Sequence, residues 1–260
     1  MATNTLHQLV SEIASKNIRV VDLTATLNND TPILQLPPEW NLHWPFSKEV
    51  ISEYDDRGPA WYWNNFKCSE HTGTHFDAPI HWVSGKEFSG NATDSIPVEK
   101  FIAPACVMDV ASEAAEDPDF LLTVDHLTAW EDKHGKVEAG SWFFLRTGWS
   151  KRHDPDEYLN IGEDGAHTPG PSQEVVEFLA KDRDVIGYGT ETVGTDAGQA
   201  FAFDPPFPCH GNMHGNNKFG LASLVNLDQL PPQGAVILAA PLKIERGSGS
   251  PLRVLALVQD

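Results

Sequence analysis

Residues 69–82 read SEHTGTHFDAPIHW and form the most informative segment of the chain. Within eleven residues it holds three histidines and one aspartate: His71, His75, Asp77 and His81. All four stand at odd-numbered positions, so an extended chain would project them from one face. Ordinary packing does not explain such a cluster, whereas imidazoles with a carboxylate are a donor set that binds zinc, manganese or iron. The segment therefore predicts a metal site.

The spacing also predicts a bend in the chain between His71 and His75. A straight strand rises about 3.3 Å per residue and would set these two residues about 13 Å apart, too far for parallel side chains to share one ion. Gly73 can adopt the backbone angles that such a bend requires. His75 and Asp77 need no bend, because alternate residues on one face of a strand can converge on one ion.

The end of the segment predicts catalysis beside the metal. Pro79 fixes the exit of the chain and excludes a helical arrangement of the ligands. His81 is expected on the same side as the ligands but farther along, where its imidazole can act as general acid or base near neutral pH. Three protein ligands leave positions open for water and a carbonyl substrate. This arrangement predicts hydrolysis of an amide, formamide or similar carbonyl compound.

A second histidine pair lies in residues 208–214, which read PCHGNMH. Either His210 or His214 could face the metal, as a ligand or as a hydrogen-bond donor to developing negative charge. Cys209 directly precedes His210, and adjacent side chains of an extended segment point apart. A nucleophilic Cys–His pair is therefore not expected.

The composition restricts the class of protein. The chain has 260 residues, a net charge of −19 and 40% hydrophobic residues, which together predict one folded domain over residues 1–260. The acidic surface disfavours a nucleic-acid or anionic-membrane partner. No hydrophobic run approaches the ~20 residues of a membrane span, and the start of the chain lacks a signal-peptide pattern. Three scattered cysteines predict neither a disulfide framework nor a thiolate zinc site, and we expect a cytoplasmic protein.

Hydrophobic periodicity predicts a mixed α/β domain. An N-terminal helix begins at a cap provided by Thr3 or Thr5, and a strand rich in β-branched residues follows it. Later helices and strands are predicted from their periodicity and turn signals. The predicted strands are 18–27, 105–110, 142–147, 184–189, 235–239 and 252–258, and the later helices are 124–134 and 172–181.

Residues 71–81 resemble the HxGTHxDxPxH signature of the metal-dependent cyclase family, which includes bacterial kynurenine formamidases. The resemblance covers nearly the whole chain in order, and within the family it is strongest to the isatin hydrolases. Shared family motifs stand at 146–149 (RTGW), 169–171 (PGP), 194–196 (GTD) and 226–228 (NLD). The stretches most similar to isatin hydrolases are 34–38, 194–200, 205–208, 219–224 and 240–247.

This resemblance implies a swivelling β/β/α fold and a homodimer or higher homo-oligomer, in which the N-terminal helix of residues 1–15 can pack on a partner subunit. It also implies that His71, His75 and Asp77 hold the metal and that His81 transfers protons.

One departure from the formamidase pattern concerns the number of metal ions. Formamidases carry a glutamate that holds a second metal, and we align that position with Val225, whose side chain cannot ligate. The resemblance therefore implies one ion per subunit, Mn²⁺ as in isatin hydrolases, with Zn²⁺ as the alternative.

The implied reaction is opening of the lactam ring of isatin to isatinate by metal-activated water. A flat aromatic substrate needs an apolar, aromatic pocket, and Trp82 and Trp63 are the side chains we expect to line it. By resemblance, His210 contacts the substrate or the product carboxylate. Ser223 lies in an apolar stretch and needs a hydrogen-bond partner if it is buried. We hypothesise that it relays protons.

Three other functions fit part of the pattern. An arylformamidase acting on N-formylkynurenine would use the same metal and general base, but Val225 argues against it. A non-haem iron oxygenase could use His75, Asp77 and His210 as a facial triad, yet His71 and His81 would then have no role. A non-enzymatic binding protein is the least favoured, because every residue of the signature is present.

Overall fold

The computed structural model describes residues 4–40 and 42–259, and these form a mixed α/β structure, as predicted. Its helices are α1 (Thr5–Ala14), α2 (Ala111–Glu116), α3 (Val124–His134), α4 (Pro155–Leu159), α5 (Gln173–Glu177) and α6 (Pro208–Gly215). Its strands are β1 (Ile18–Asp22), β2 (Ser47–Glu53), β3 (Tyr62–Lys67), β4 (His75–Asp77), β5 (Ile102–Asp109), β6 (Leu121–Leu122), β7 (Trp142–Arg146), β8 (Ile161–Gly162), β9 (Gly165–Ala166), β10 (Gly170–Pro171), β11 (Gly187–Thr190), β12 (Phe219–Ala222), β13 (Gln233–Leu238), β14 (Gly249–Pro251) and β15 (Leu255–Gln259).

Within the described part of the chain, the main sheet has nine strands in the order β1-β15-β13-β5-β7-β11-β12-β4-β14. The central strands β5, β7, β11 and β12 run parallel to one another, and the remaining pairs are antiparallel. Among the described residues, two antiparallel pairs lie outside it, β2 with β3 and β8 with β9. One short parallel pair, β6 with β10, also lies outside it.

Alternate residues of the central strands pack into two different cores. On β7, Trp142 and Phe144 join one hydrophobic cluster, while Phe143 and Leu145 join the other. The second cluster also contains the apolar residues of α3 and α5, so these helices cover that face. The first cluster includes side chains from strands at opposite ends of the sheet order, among them Val258 of β15 and Phe76 of β4. The sheet therefore curls around the first cluster, which brings β4 over a packed core.

Helix ends agree with the sequence where capping residues set them. Helix α3 has the predicted bounds, and Gly135 ends it with a φ of +89°. Ser172 caps α5 by accepting a hydrogen bond from the Val175 N–H, and the predicted helix continues as a π-helical segment over Phe178–Asp182. Thr3 lies outside the described residues, and Asn4 rather than Thr5 caps α1, by accepting the Leu6 N–H.

Several predicted strands are shorter than their sequence pattern, among them 184–189, which begins only at Gly187 as β11. Strand β1 ends at Asp22 because the Asp22 carboxylate accepts the Thr24 N–H, which turns the chain away from the ladder. The predicted strand over 252–258 begins only at Leu255, after β14. Among the described residues, the helices are too short or too polar to cross a membrane.

Candidate active site

Strand β4 holds His75 and Asp77 in the interior of the sheet, between β12 and β14. Asp77 is 1% exposed. Just before the strand, Gly73 has a φ of +60°, so the predicted bend occurs at this glycine. The bend brings His71 back towards the strand, and its Nδ1 lies 2.7 Å from Oδ1 of Asp77.

The nitrogen atoms of both histidines converge on one carboxylate oxygen. His75 Nε2 lies 3.3 Å from Asp77 Oδ1, the same atom that His71 Nδ1 approaches. The other nitrogen of His75, Nδ1, donates to the Gly73 carbonyl at 2.8 Å, which keeps Nε2 directed at Asp77. Two imidazole nitrogens and one buried carboxylate form a donor set that suits a divalent metal ion.

The electrostatics of Asp77 agree with a cation site. Burial raises the pKa of this carboxyl, but the charge of His75 and the hydrogen bonds from His71 and His75 outweigh burial and hold the pKa well below its ordinary value. Asp77 is therefore an anion inside the protein, where a buried carboxylate needs positive charge or hydrogen-bond donors close to it.

The structure corrects the expectation that His81 lies farther along the strand. A 3-10 turn, Pro79–His81, ends β4 and folds the chain back, so the ring of His81 stacks on that of His71 with centroids 3.8 Å apart. Ligand-type atoms of His71, Asp77 and His81 lie within 4.8 Å of one another. Burial, followed by the charge of His71, lowers the pKa of His81 to about 2. Its imidazole is therefore neutral near pH 7.

Both histidines of the second pair face this cluster. Helix α6 presents the rings of His210 and His214 to His81, with centroids 5.4 Å and 6.0 Å away. His210, His214 and Asp77 form a second group of ligand-type atoms within 4.8 Å. Nε2 of His214 is buried without a hydrogen-bond partner among the described residues, and burial followed by the charge of His210 lowers the pKa of His214 to about 4.

Asp196 orients His210. Its carboxylate accepts the Cys209 N–H at 2.6 Å and the His210 N–H at 3.2 Å, and it lies 2.5 Å from Nδ1 of His210. Burial lowers the pKa of His210. The hydrogen bond between its ring and Asp196 and the negative charge of Asp196 outweigh the effect of burial, so the pKa of His210 is raised. The Nε2 atom of His210 is thereby left to face the cluster.

Burial, rather than the alternation of side chains, argues against Cys209 as a nucleophile. Residues 208–215 form a helix, so the alternation of side chains along an extended segment does not apply. The thiol is 1% exposed, and burial raises its pKa well above the ordinary value. A thiol in this environment stays protonated and is a poor nucleophile.

Aromatic rings form one wall beside the histidines. The ring of Trp82 lies 4.9 Å from that of His210 and 5.6 Å from that of Phe207. Trp63 stands elsewhere, on the β2–β3 hairpin, with 54% of its side chain exposed. Among the described residues, no ring contact joins Trp63 to the histidine cluster, and its role in binding substrate stays a prediction.

Ser223 has the partner that its burial requires. It is 6% exposed, and its Oγ accepts a hydrogen bond of 2.9 Å from the Tyr158 hydroxyl. It lines a cavity together with Gly73, whose carbonyl binds His75. The serine thus lies between β4 and a solvent-accessible cavity.

The sequence interpretation did not identify four residues that shape the site. A Cβ at Gly220 would lie 2.5 Å from Asp77 Oδ2, and one at Gly249 would lie 2.6 Å from Cε1 of His71. A glycine within a strand pattern is the signal that marks such close approaches. Ser248 Oγ contacts Nε2 of His71, the ring nitrogen opposite Asp77, and donates to the carboxylate of Glu70. No local sequence pattern indicates the contact of His71 with Ser248, which lies 177 residues away.

Comparison with known proteins identifies the relatives of this arrangement. Residues 21–197 match the family described as "Putative cyclase". The chain is 50% identical to the isatin hydrolase of Roseibium aggregatum over 99% of this chain and 98% of that protein. It is 28% identical to the kynurenine formamidase of Salinibacter ruber over 74% and 77% of the two chains. The solved structure of isatin hydrolase A from Ralstonia solanacearum is 58% identical, covers 99% of this chain and 98% of its own, and superimposes with a TM-score of 0.97.

Proposed function

This chain belongs to the cyclase family, and we propose from that premise that it is a metal-dependent hydrolase that opens the lactam ring of isatin to isatinate. The observation that carries the proposal is the convergence of His71, His75 and His81 on the buried carboxylate of Asp77. Full-length similarity to isatin hydrolases supports isatin as the substrate.

His71, His75 and Asp77 would hold one divalent ion per subunit, which we propose to be Mn²⁺, with Zn²⁺ as the alternative. Their two imidazoles and one carboxylate, without a thiolate, suit either ion. When bound, such an ion lowers the pKa of a water molecule and polarises a carbonyl group.

We propose His81 as the proton-transfer residue. Water adds to the lactam carbonyl carbon, the C–N bond breaks, and the products are a carboxylate, an aniline NH2 group and one proton released to solvent. His81 would take one proton of the water and return it to the leaving nitrogen, and the second proton leaves as the carboxylic acid ionises. Because His81 stacks on His71, it lies beside the ligands where that transfer must occur.

Trp82 and His210 would bind the substrate and product. The indole of Trp82 and the ring of Phe207 offer apolar faces to a flat aromatic ring. Asp196 favours the protonated form of His210, which suits contact with a carboxylate. We assign Ser223 as a proton relay, because its hydroxyl bonds Tyr158 at the edge of a cavity.

We also propose that the protein is a cytoplasmic homodimer. Three free cysteines suit a reducing compartment. Helix α1 has no buried residue, and it exposes 69% of Leu6 and 65% of Val10, an apolar face suited to a partner subunit. Sedimentation equilibrium should give twice the chain mass, and Leu6→Asp with Val10→Asp should shift it towards the monomer. A monomeric wild-type protein would remove the dimer proposal.

The substrate assignment is tested by comparing turnover of isatin and N-formylkynurenine with the same metal-loaded enzyme. Both are aryl amides, so the site could act on either, and the formamidase function is the second candidate because of the 28% identical relative. We expect kcat/KM to be higher for isatin. Equal or faster turnover of N-formylkynurenine would reverse the assignment.

A further inference from the structure

We propose that Ser248 and Glu70 are positioning residues that determine which nitrogen of His71 binds the metal. The proposal deepens the metal site of the proposed function and rests on it. It concerns the side of His71 that faces away from Asp77.

The hydrogen bonds form a chain from the carboxylate to the imidazole. Ser248 Oγ donates to Oε2 of Glu70 at 2.5 Å, and the Ser248 N–H donates to the same oxygen at 3.2 Å. The same Oγ lies 2.9 Å from Nε2 of His71. The opposite ring nitrogen, Nδ1, is the one that lies 2.7 Å from Asp77 Oδ1.

The carboxylate sets the direction of this chain. A serine hydroxyl has one proton, and an ionised carboxylate can only accept hydrogen bonds. Because Ser248 donates its proton to Glu70, it can only accept from His71. With a cation held beside Asp77, the single proton of His71 would therefore be kept on Nε2 by Ser248, and the lone pair of Nδ1 would be left for the ion. Without the cation, Nδ1 lies 2.7 Å from the Asp77 carboxylate, to which it can only donate.

Without the Glu70 carboxylate, this preference for Nε2 is lost. The hydroxyl of Ser248 could then donate to Nε2 and stabilise the tautomer that carries its proton on Nδ1, where the metal must bind. Groups that hold the distal nitrogen of a ligating histidine typically change metal affinity by about 10- to 100-fold. We expect an effect of this size at Ser248.

The backbone keeps Ser248 in place for this task. The Ser248 carbonyl accepts the Ala78 N–H at 2.8 Å, which joins Ser248 to the residue that follows β4. Gly249, the next residue, lies so close to the ring of His71 that a Cβ would stand 2.6 Å from Cε1. The ring is therefore held between β14 and Asp77, with little freedom to exchange its nitrogens.

The test measures the dissociation constant of Mn²⁺ alone, by equilibrium dialysis of chelator-stripped protein without substrate. We expect Ser248→Ala and Glu70→Ala each to weaken binding by about 10- to 100-fold. Glu70→Gln should restore most of the affinity, because the amide oxygen can still accept from Ser248. The double variant should bind no more weakly than Ser248→Ala, because Glu70 acts through the serine.

Ser250→Ala is the matched control. Ser250 is fully buried two residues along the same segment, and among the described residues its hydroxyl bonds only backbone groups, the Leu242 N–H and the Pro251 carbonyl. The Ser250→Ala variant should bind Mn²⁺ with an affinity within about twofold of the wild type, even if the substitution lowers Tm. An unchanged affinity in Ser248→Ala, or additive losses in the double variant, would overturn the proposal.

If Ser248→Ala does not fold, Glu70→Ala against Glu70→Gln still decides the question, because Glu70 is only half-buried. Failure of this inference is distinguishable from failure of the proposed function. Loss of Mn²⁺ binding in Asp77→Ala with normal binding in Ser248→Ala rejects only the positioning role. A wild-type protein that binds no Mn²⁺ and no Zn²⁺ rejects the metal site itself, and the positioning role with it.

Discussion

The ring of His81 stacks on the ring of His71, with centroids 3.8 Å apart and an angle of 27° between the planes. A proposed metal ligand thus contacts the proposed proton-transfer residue directly. The stack arises because a 3-10 turn follows β4 immediately, so a separation of ten residues in sequence becomes a van der Waals contact. The proposed proton-transfer residue and the proposed metal ligands are consequently positioned by the same short segment of chain.

Replacing His81 should remove proton transfer and leave metal binding intact. We expect His81→Gln to lower kcat for isatin by about 10²- to 10⁴-fold, the usual contribution of a positioned acid–base group. Metal content, measured by elemental analysis after dialysis against Mn²⁺, should equal that of the wild type. Loss of the metal in this variant would instead assign His81 as a ligand.

Replacing Asp77 should remove metal binding as well as turnover. Asp77→Asn removes the anionic ligand on which His71 and His75 converge, so both bound metal and turnover should fall below detection. Asp228→Asn is the control, because that carboxylate pairs with Lys151 at the surface. If Asp77→Asn retains one tightly bound ion, the site lies elsewhere.

The sequence predicts the parts of this site that depend on neighbouring residues. The bend at Gly73 follows from ligand spacing, and its φ of +60° agrees. The bounds of α3 follow from periodicity and from the glycine that ends it. In each case the physical cause lies within a few residues of its effect.

Contacts between segments that are distant in sequence could not be predicted from local sequence patterns. The pairing of β4 with β12 and β14, and the contact of His71 with Ser248, join residues more than 140 positions apart. Helix α6 was missed because the sequence PCHGNMHG has two glycines and few apolar residues, so it has no helical hydrophobic period. The carboxylate of Asp196 at its first turn supplies the stabilisation that the pattern lacks.

The aromatic wall should determine affinity more than rate. We expect Trp82→Ala to raise KM for isatin by about 2- to 12-fold, corresponding to the loss of one aromatic pair of ~0.5–1.5 kcal/mol. The exposed Trp40 offers a control, and Trp40→Ala should leave KM unchanged. A fall in kcat with constant KM in Trp82→Ala would show that the indole acts on the transition state.

The relay role of Ser223 is tested by the pH dependence of turnover. Ser223→Ala removes the hydroxyl that accepts from Tyr158, so proton exchange with the cavity should slow and the pH profile of kcat should change. Measurement of kcat from pH 6 to 9 decides the matter. Turnover unchanged at every pH would reject the relay.

His167 should contribute a pH-dependent increment of stability remote from the site. Hydrogen bonds to Asp119 and Asp164 raise the pKa of this histidine. A pKa higher in the folded than in the unfolded state stabilises the fold below the ordinary value near 6.5, and the gain is lost as pH rises through the raised value. The Tm difference between wild type and His167→Gln should therefore be larger at pH 5.5 than at pH 9.

The control for that measurement is His153→Gln, which changes an exposed histidine. Its Tm should follow that of the wild type at both pH values. A His167→Gln difference that is constant with pH would mean that only neutral hydrogen bonds are lost.

The most direct test of the central claim is the rate of isatin absorbance loss with chelator-stripped protein, before and after addition of Mn²⁺. We predict no turnover in the stripped protein and recovery on addition of the metal, with Asp77→Asn inactive under both conditions. Turnover that persists in fully stripped protein, or absence of turnover after Mn²⁺ and Zn²⁺ have each been bound, would contradict the assignment of a metal-dependent isatin hydrolase.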